Sequence, residues 1–338
     1  MKKTKIYISF FCCLLSVTLT YSLQASQELI HNKQKFVRKI QPPVKIEIVQ
    51  KNDDNAKIIS ISRDTIVMIN NSFNNVSLIS GERATEQQII PDNLKSGMPY
   101  FFLNGGAKYN HNIYSFCGNC QTVIGSLPDK TIAYTLGFTY TNPTSISENT
   151  FIFRENSDRS EFIIGKYNLQ TKQRYASNLN NHMPYNGGLA TTGTLAYDGK
   201  SSLFFVNRYN STIVKFDTML RVNNVFRTID RSTKLPSVVY LDKIKSYKFS
   251  SPKKAINDRI ALSKKFLFIS SMLHAKNESN VFTYKNHCID IYDTKSGQYV
   301  SSCYIEKKFG SSIIDMIAKN DKQLSVLTEK NLLTITIQ

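Results

Sequence analysis

An all-β fold is what this sequence predicts, and three observations carry the prediction. From about Val44 to the end, short runs rich in Ile, Val, Phe, Tyr and Thr follow one another, the composition of a pleated, half-buried surface. Most are bounded by Asn, Asp, Gly, Pro or Ser pairs, the residues that tight turns recruit. No segment after residue 25 keeps a 3.6-residue apolar period for a dozen residues, so long helices are excluded.

Taken in order, the chain opens with MKKTKIYISFFCCLLSVTLTYSLQA. Lys2, Lys3 and Lys5 precede an apolar stretch from Ile6 to about Val17, and small residues follow near Ser22 and Ala25. That is the pattern of a secretory signal peptide over residues 1–25, cut after Ala25 or Ser22. The apolar run is shorter than the ~20 residues a spanning helix needs. Residues 26–43, SQELIHNKQKFVRKIQPP, are polar, end in two prolines and read as an extended entry arm. Residues 44–338 then form one β domain, from VKIEIV, KIISISR and TIVMIN through SLFFVN, TIVKFD and FLFISSM to QLSVLT and LLTITI.

A faint repeat runs through these strands. NNVSLISGE, FIIGKYNLQTKQ, STIVKFDTMLRV and CIDIYDTKSGQY each pass from an apolar strand through a polar turn into another strand. With Ser80, Asn168, Asp217 and Asp293 as equivalent turn positions, the spacings suit one or two units of about 40 to 50 residues, the length of a four-stranded propeller blade. The expected architecture is therefore a β-propeller of six blades, seven being the alternative. Such a ring commonly closes when a terminal strand completes the opposite terminal blade, and VKIEIV and LLTITI are natural partners for that closure.

The second half also resembles a known family. GTLAYDGKSSLFFVNRYNSTIVKFDTMLRVNNVFRTID, RIALSKKFLFISSMLHAKNES and CIDIYDTKSGQYVSSCYI are similar to bacterial envelope proteins with TolB-like six-bladed propellers. The matching positions are Asn210 to Asp217, Ile289 to Asp293 and Tyr299 to Ile305, with Cys303 departing from the family pattern. The likeness covers residues 190 to 338 well and the first half by general pattern alone. It implies a fold and an envelope location, and leaves the activity open.

The formal charge of +18 falls to +15 once the three lysines of the signal peptide are removed. Nucleic acid is a poor partner for an exported chain whose basic residues are dispersed and accompanied by no recognition motif. An acidic partner or an anionic envelope surface suits the charge better. The chain is expected to be a monomer.

Four cysteines remain after the signal peptide: Cys117, Cys120, Cys288 and Cys303. An oxidising compartment favours disulfides, and four cysteines allow three connectivities. If the TKSG turn joins its strands without a bulge, Tyr292 faces Tyr299 and Cys288 faces Cys303, at a Cα separation of about 4.5 to 5.5 Å that a disulfide accepts. A bulge would shift the register by one and spoil that pairing. CGNC, residues 117–120, lies between strand-like flanks, whereas redox Cys-x-x-Cys motifs sit at helix starts. A local disulfide is the expectation there, with redox or metal use as the alternative.

The five histidines make no metal-ligand pair, and no GxSxG or glycine-rich phosphate cradle occurs. No cofactor and no metal are expected. Two stretches suggest a ligand pocket. NHMPYNGGLATTG carries His182, Tyr185 and Asn186, and FFLNGGAKYNHN carries Tyr109 and His111. Aromatic and amide groups on loops at a channel mouth suit a sugar or peptide, while Gly-Gly can equally serve as a turn. The function expected is binding of a partner protein, peptide or cell-surface glycan through loops on one face. The alternative is an exported glycan hydrolase or lyase, or a redox-associated factor using CGNC.

Overall fold

The computed structural model describes residues 36–51, 56–62, 65–70, 75–80, 83–88, 105–109, 112–127, 130–156, 162–178, 189–244 and 246–337. The expected signal peptide and most of the arm lie outside them. Within them the chain is β1 (Lys45–Lys51), β2 (Ala56–Ser62), β3 (Thr65–Asn70), β4 (Asn75–Ser80), β5 (Arg83–Gln88), β6 (Gly105–Tyr109), β7 (Asn112–Cys117), β8 (Thr122–Ser126) and β9 (Thr131–Thr135). It continues as β10 (Tyr140–Ser147), β11 (Thr150–Asn156), β12 (Phe162–Asn168), β13 (Arg174–Asn178), β14 (Gly193–Tyr197), β15 (Ser202–Asn207), β16 (Thr212–Asp217), β17 (Val222–Arg227), β18 (Val238–Leu241) and β19 (Ser246–Phe249). The last strands are β20 (Asn257–Leu262), β21 (Phe266–Ser271), β22 (Asn286–Asp293), β23 (Tyr299–Glu306), β24 (Ile313–Ala318), β25 (Gln323–Thr328) and β26 (Asn331–Thr336), with one short helix, α1 (Asn280–Lys285), before β22.

Among the described residues these strands form antiparallel four-stranded sheets β2–β5, β6–β9, β10–β13, β14–β17 and β20–β23, each in chain order. A further sheet has the order β1-β26-β25-β24, and β18 and β19 make a separate two-stranded ribbon. The first strands touch in a closed cycle: β2 meets β6, β6 meets β10, β10 meets β14, β14 meets β20, β20 meets β24, and β24 meets β2. The fold is a β-propeller. Closure is by β1, which pairs antiparallel with β26, Lys45 opposite Thr336 and Ile48 opposite Leu333. The expected partnership of VKIEIV and LLTITI is present.

The core lies between neighbouring sheets, which explains why strands such as SLFFVN are apolar on both faces. Leu203 and Phe205 join Ile152, Ile164 and Leu195 on one side, while Phe204 and Val206 join Ile260, Leu267 and Ile269 on the other. Ile289, Ile291 and Ile305 pack on Ile313, Met316 and Leu324 of the following sheet. Leu327 and Leu332 of the last sheet meet Ile66, Met68 and Ile79 of the first.

The faint sequence repeat is a structural one. Ser80, Asn168, Asp217 and Asp293 are each the last residue of the third strand in a sheet. In three of them a side-chain oxygen caps the turn: Asn168 Oδ1 accepts from Gln170 and Thr171 N–H, Asp217 Oδ1 from Met219 and Arg221, and Asp293 Oδ1 from Lys295 and Ser296. These are Asx turns. The long interval between Asp217 and Asp293 is one repeat enlarged by the β18–β19 ribbon and by α1.

The arm is more than an entry segment. Its Gln41 N–H donates to Ser302 O, and Ser302 N–H to Lys39 O, so it covers the outer edge of β23. An uncovered edge invites pairing with other chains. Arg38 is 2% exposed and reaches between β21 and β23. Its Nε and Nη2 donate to the two oxygens of Asp290 at 2.8 and 3.0 Å, its Nη1 to Glu278 and Leu273 O, and its Nη2 to Ser271. Burial works against that charge, and Asp290, Cys288 and Glu278 outweigh it, holding the guanidinium above its ordinary range.

The expected Cys288–Cys303 bridge is not formed; both are buried free thiols. Tyr292 does face Tyr299, but Val300 is then bulged out and the register shifts by one between Ile291 and Tyr292. Cys288 consequently faces Tyr304, and Cys303 faces Ile289. Alternation does the rest. Cys303 enters the apolar cluster with Ile289 and Ile305, while Cys288 sits on the polar side, its Sγ 3.5 Å from Asp290.

Candidate functional site at the strand-entry end

Because every sheet but the last begins and ends in chain order, and the last begins at β24, the first strands all run the same way along the axis. One end of the ring therefore receives the connections into first strands and the turns between second and third strands. At this end attach the long connections 89–104, 179–192, 228–256 and 272–285, the last two carrying the β18–β19 ribbon and α1. At the opposite end the connections 63–64, 110–111, 148–149, 198–201, 263–265 and 319–322 are short. Short turns hold the ring; long ones can be shaped to a partner.

The expected site residues divide between these ends. His182, Tyr185 and Asn186 belong to the connection into β14 at the strand-entry end, and lie outside the described residues. Tyr109 is the last residue of β6, at the far end, and His111, two residues on, lies outside the described residues. Cys117 and Cys120 are joined in a disulfide that spans the β7–β8 turn at the strand-entry end. Gln121, just after it, adopts a left-handed φ of 54°, and Gln121 N–H donates to Gly118 O at 3.2 Å. Strands flank the pair, so no helix dipole is available to stabilise a thiolate.

Three residues not singled out in the sequence stand together at this end. Asp258 and Arg259 open β20, and Arg208 follows β15. Arg208 Nη2 lies 2.9 Å from Asp258 Oδ1, and Arg259 Nε lies 3.9 Å from Asp258 Oδ2. The first contact is an ion pair without hydrogen-bond geometry, and Asp258 Oδ1 and Arg259 Nε are buried atoms with no hydrogen-bond partner. The Arg208 and Arg259 side chains as wholes are 38% and 36% exposed.

Local chemistry explains why they are held there. Asn207 Oδ1 accepts from Tyr209 and Asn210 N–H, closing the turn that carries Arg208. Asn257 Nδ2 donates to Asn207 O and Asn210 O at 2.8 and 3.0 Å, tying the start of β20 to that turn. Thr194 Oγ1 donates to Asp258 O at 3.2 Å, and Asn142 Nδ2 donates to Gly193 O. The starts of β10, β14 and β20 are thus stitched across three sheets. A Cβ at Gly193 would lie 2.2 Å from Val206 O and 2.4 Å from the Phe205 ring, so the strands approach this closely only with glycine there. Asn142 takes a left-handed φ of 51° at a bulge in β10 that also accommodates Pro143.

Two further features belong to the neighbouring elements. Arg154 on β11 faces Thr141 across the sheet, and burial lowers its pKa to about 10. Tyr209, next to Arg208, meets Phe249 of the β18–β19 ribbon edge-on at 5.3 Å. That ribbon is exposed at Val239 and Tyr240 and carries Lys243 and Lys248. Each arginine presents a planar fork of donors, and among the described residues Asp258 is the acid that both Arg208 and Arg259 meet. Among the described residues no group of three or more metal-ligating side chains gathers.

No protein-family model and no curated protein matches this sequence. Solved structures do match in fold. A virginiamycin B lyase from Staphylococcus aureus is similar at 11% identity, with 87% of this chain and 99% of that one covered and a TM-score of 0.52. A member of the DUF4221 family from Bacteroides vulgatus is similar at 11% identity over 91% of this chain and 98% of that one, TM-score 0.53. A protein described as a candidate exported protein of Bacteroides fragilis is similar at 13% identity over 90% and 98%, TM-score 0.53. At such identities the likeness is one of fold: the chain is a β-propeller.

Proposed function

We propose that this chain is an exported binding propeller that recognises an acidic partner through its strand-entry end, without turnover. The observation that carries the reading is the asymmetry of the ring: the long connections, the Arg208–Asp258–Arg259 cluster and the aromatic-basic ribbon all attach at one end. The formal charge of +15 that remains without residues 1–25 would favour encounter with an acidic partner. Export rests on Lys2, Lys3, Lys5 and the apolar stretch after them, and the Cys117–Cys120 disulfide suits an oxidising compartment. Each four-stranded sheet counted as a blade gives six, in keeping with the TolB-like resemblance of residues 190 to 338. His182, Tyr185 and Asn186, in the connection into β14, belong to the same recognition surface in this reading.

The test is a photo-crosslinking amino acid placed at Tyr240, on the strand-entry end, or at Lys200, in a short turn opposite, followed by irradiation of intact cells. Adducts at 240 and none at 200 are expected. Equal adducts at both positions, or adducts at 200 alone, would overturn the assignment of the face.

A further inference from the structure

We infer that the Arg208–Asp258–Arg259 cluster is a binding site for a carboxylate carried on a hydroxyl-bearing ligand, that is, an acidic sugar. The inference rests on the reading of the strand-entry end as the recognition face, and names what one part of it takes.

Two guanidinium groups converge on one carboxylate, and among the described residues Asp258 is the one acid that either of them meets. The cluster therefore carries a surplus positive charge in a partly desolvated place, where a second anion is favoured more than in open water. Each guanidinium has five N–H donors in a fixed plane, and Asp258 engages few of them. Arg259 Nε is buried and without a hydrogen-bond partner, a cost that an incoming carboxylate would remove. The same ligand needs donors for Asp258 Oδ1, which is also buried without a hydrogen bond. A sugar hydroxyl supplies one, and an anion without a proton to donate, such as chloride or sulfate, does not.

Shape points the same way. Arg208 is fixed by the Asn207 turn and by Asn257, so the fork is preorganised and its ordering cost is met on folding. Tyr209 follows Arg208 in the same turn, and Phe249 braces its ring edge-on at 5.3 Å. An acidic sugar matches all three elements: carboxylate to the arginines, hydroxyl to Asp258, apolar ring face to Tyr209.

The experiment is calorimetric titration of the whole exported protein with glucuronate, glucose and glutamate in separate runs. Saturable binding of glucuronate is expected, with glucose not binding and glutamate weaker. Arg259→Gln should weaken glucuronate by about tenfold or more, the loss of one charged hydrogen-bonding partner, with Arg259→Lys in between. The Lys variant keeps the comparison usable if the Gln variant does not fold. Glutamate binding as tightly as glucuronate would overturn the sugar in favour of a peptide carboxylate. Absence of glucuronate binding, or binding indifferent to Arg259, would overturn the site itself. In that event crosslinking at Tyr240 and not at Lys200 would still uphold the recognition face.

Discussion

The Cys288 and Cys303 thiols separate what a hairpin pattern reveals from what it hides. Pairing them needs unbroken register from the TKSG turn, and the bulge at Val300 breaks it. One displaced residue sends the two sulfurs to opposite faces. Burial then pushes the Cys303 thiol up to about 12 and Cys288 well above its usual value. Both groups keep their protons in the folded state over the range where an unfolded thiol, at 9.0, loses its own, so their linkage lowers stability as the pH rises from about 9 towards 12. Alkylation of the native protein at pH 8 should leave both unmodified, and unfolding should expose two reactive thiols to mass spectrometry. Cys117 and Cys120 should label only after reduction. A linked Cys288–Cys303 peptide would contradict the register. The Asx turns at Asn168, Asp217 and Asp293 were legible beforehand because their hydrogen bonds are local. A bulge is set by packing against neighbouring sheets, which no short stretch records.

Among the elements, the arm is the one whose weight its composition concealed. A polar segment with two prolines reads as a tether, yet Arg38 lies buried against Asp290 and Glu278, and Tyr304 O–H donates to Glu278 as well. Truncating one member of a buried ionic network leaves the others uncompensated and costs about 3–5 kcal/mol. Arg38→Met is therefore expected to lower the unfolding free energy measured in urea by that order, and Lys39→Met, at the exposed rim, to leave it nearly unchanged. Equal effects from the two would place the arm outside the cooperative core. The cluster of Arg208, Asp258 and Arg259 was equally hidden. NRYN and NDR are commonplace turn and strand-start sequences, and their only early signal was the density of Asn around them. The fold brings them together through Asn257, which bonds to the turn at Asn207 and Asn210.

At the scale of the whole molecule, the ring explains both the fold's legibility and the limits on reading its site. Each sheet buries residues on two faces against its neighbours, so strands such as β3, β15 and β21 are apolar and short, and the all-β class followed from that. Closure through β1 and β26 joins the described ends of the chain into one circle. The division into a short-turn end and a long-connection end emerges only once the first strands are known to run in parallel; it separates Tyr109 from the connection bearing His182, Tyr185 and Asn186, which the sequence had set side by side.

The central claim is that recognition occurs at the strand-entry end. Hydrogen exchange of the protein, measured with and without saturating glucuronate, tests it most directly, because it reports each end of the ring separately. Protection is predicted in peptides covering 189–194, 206–211 and 256–260, with none in 198–201, 218–221 or 294–298. Protection confined to the short-turn peptides would contradict the account.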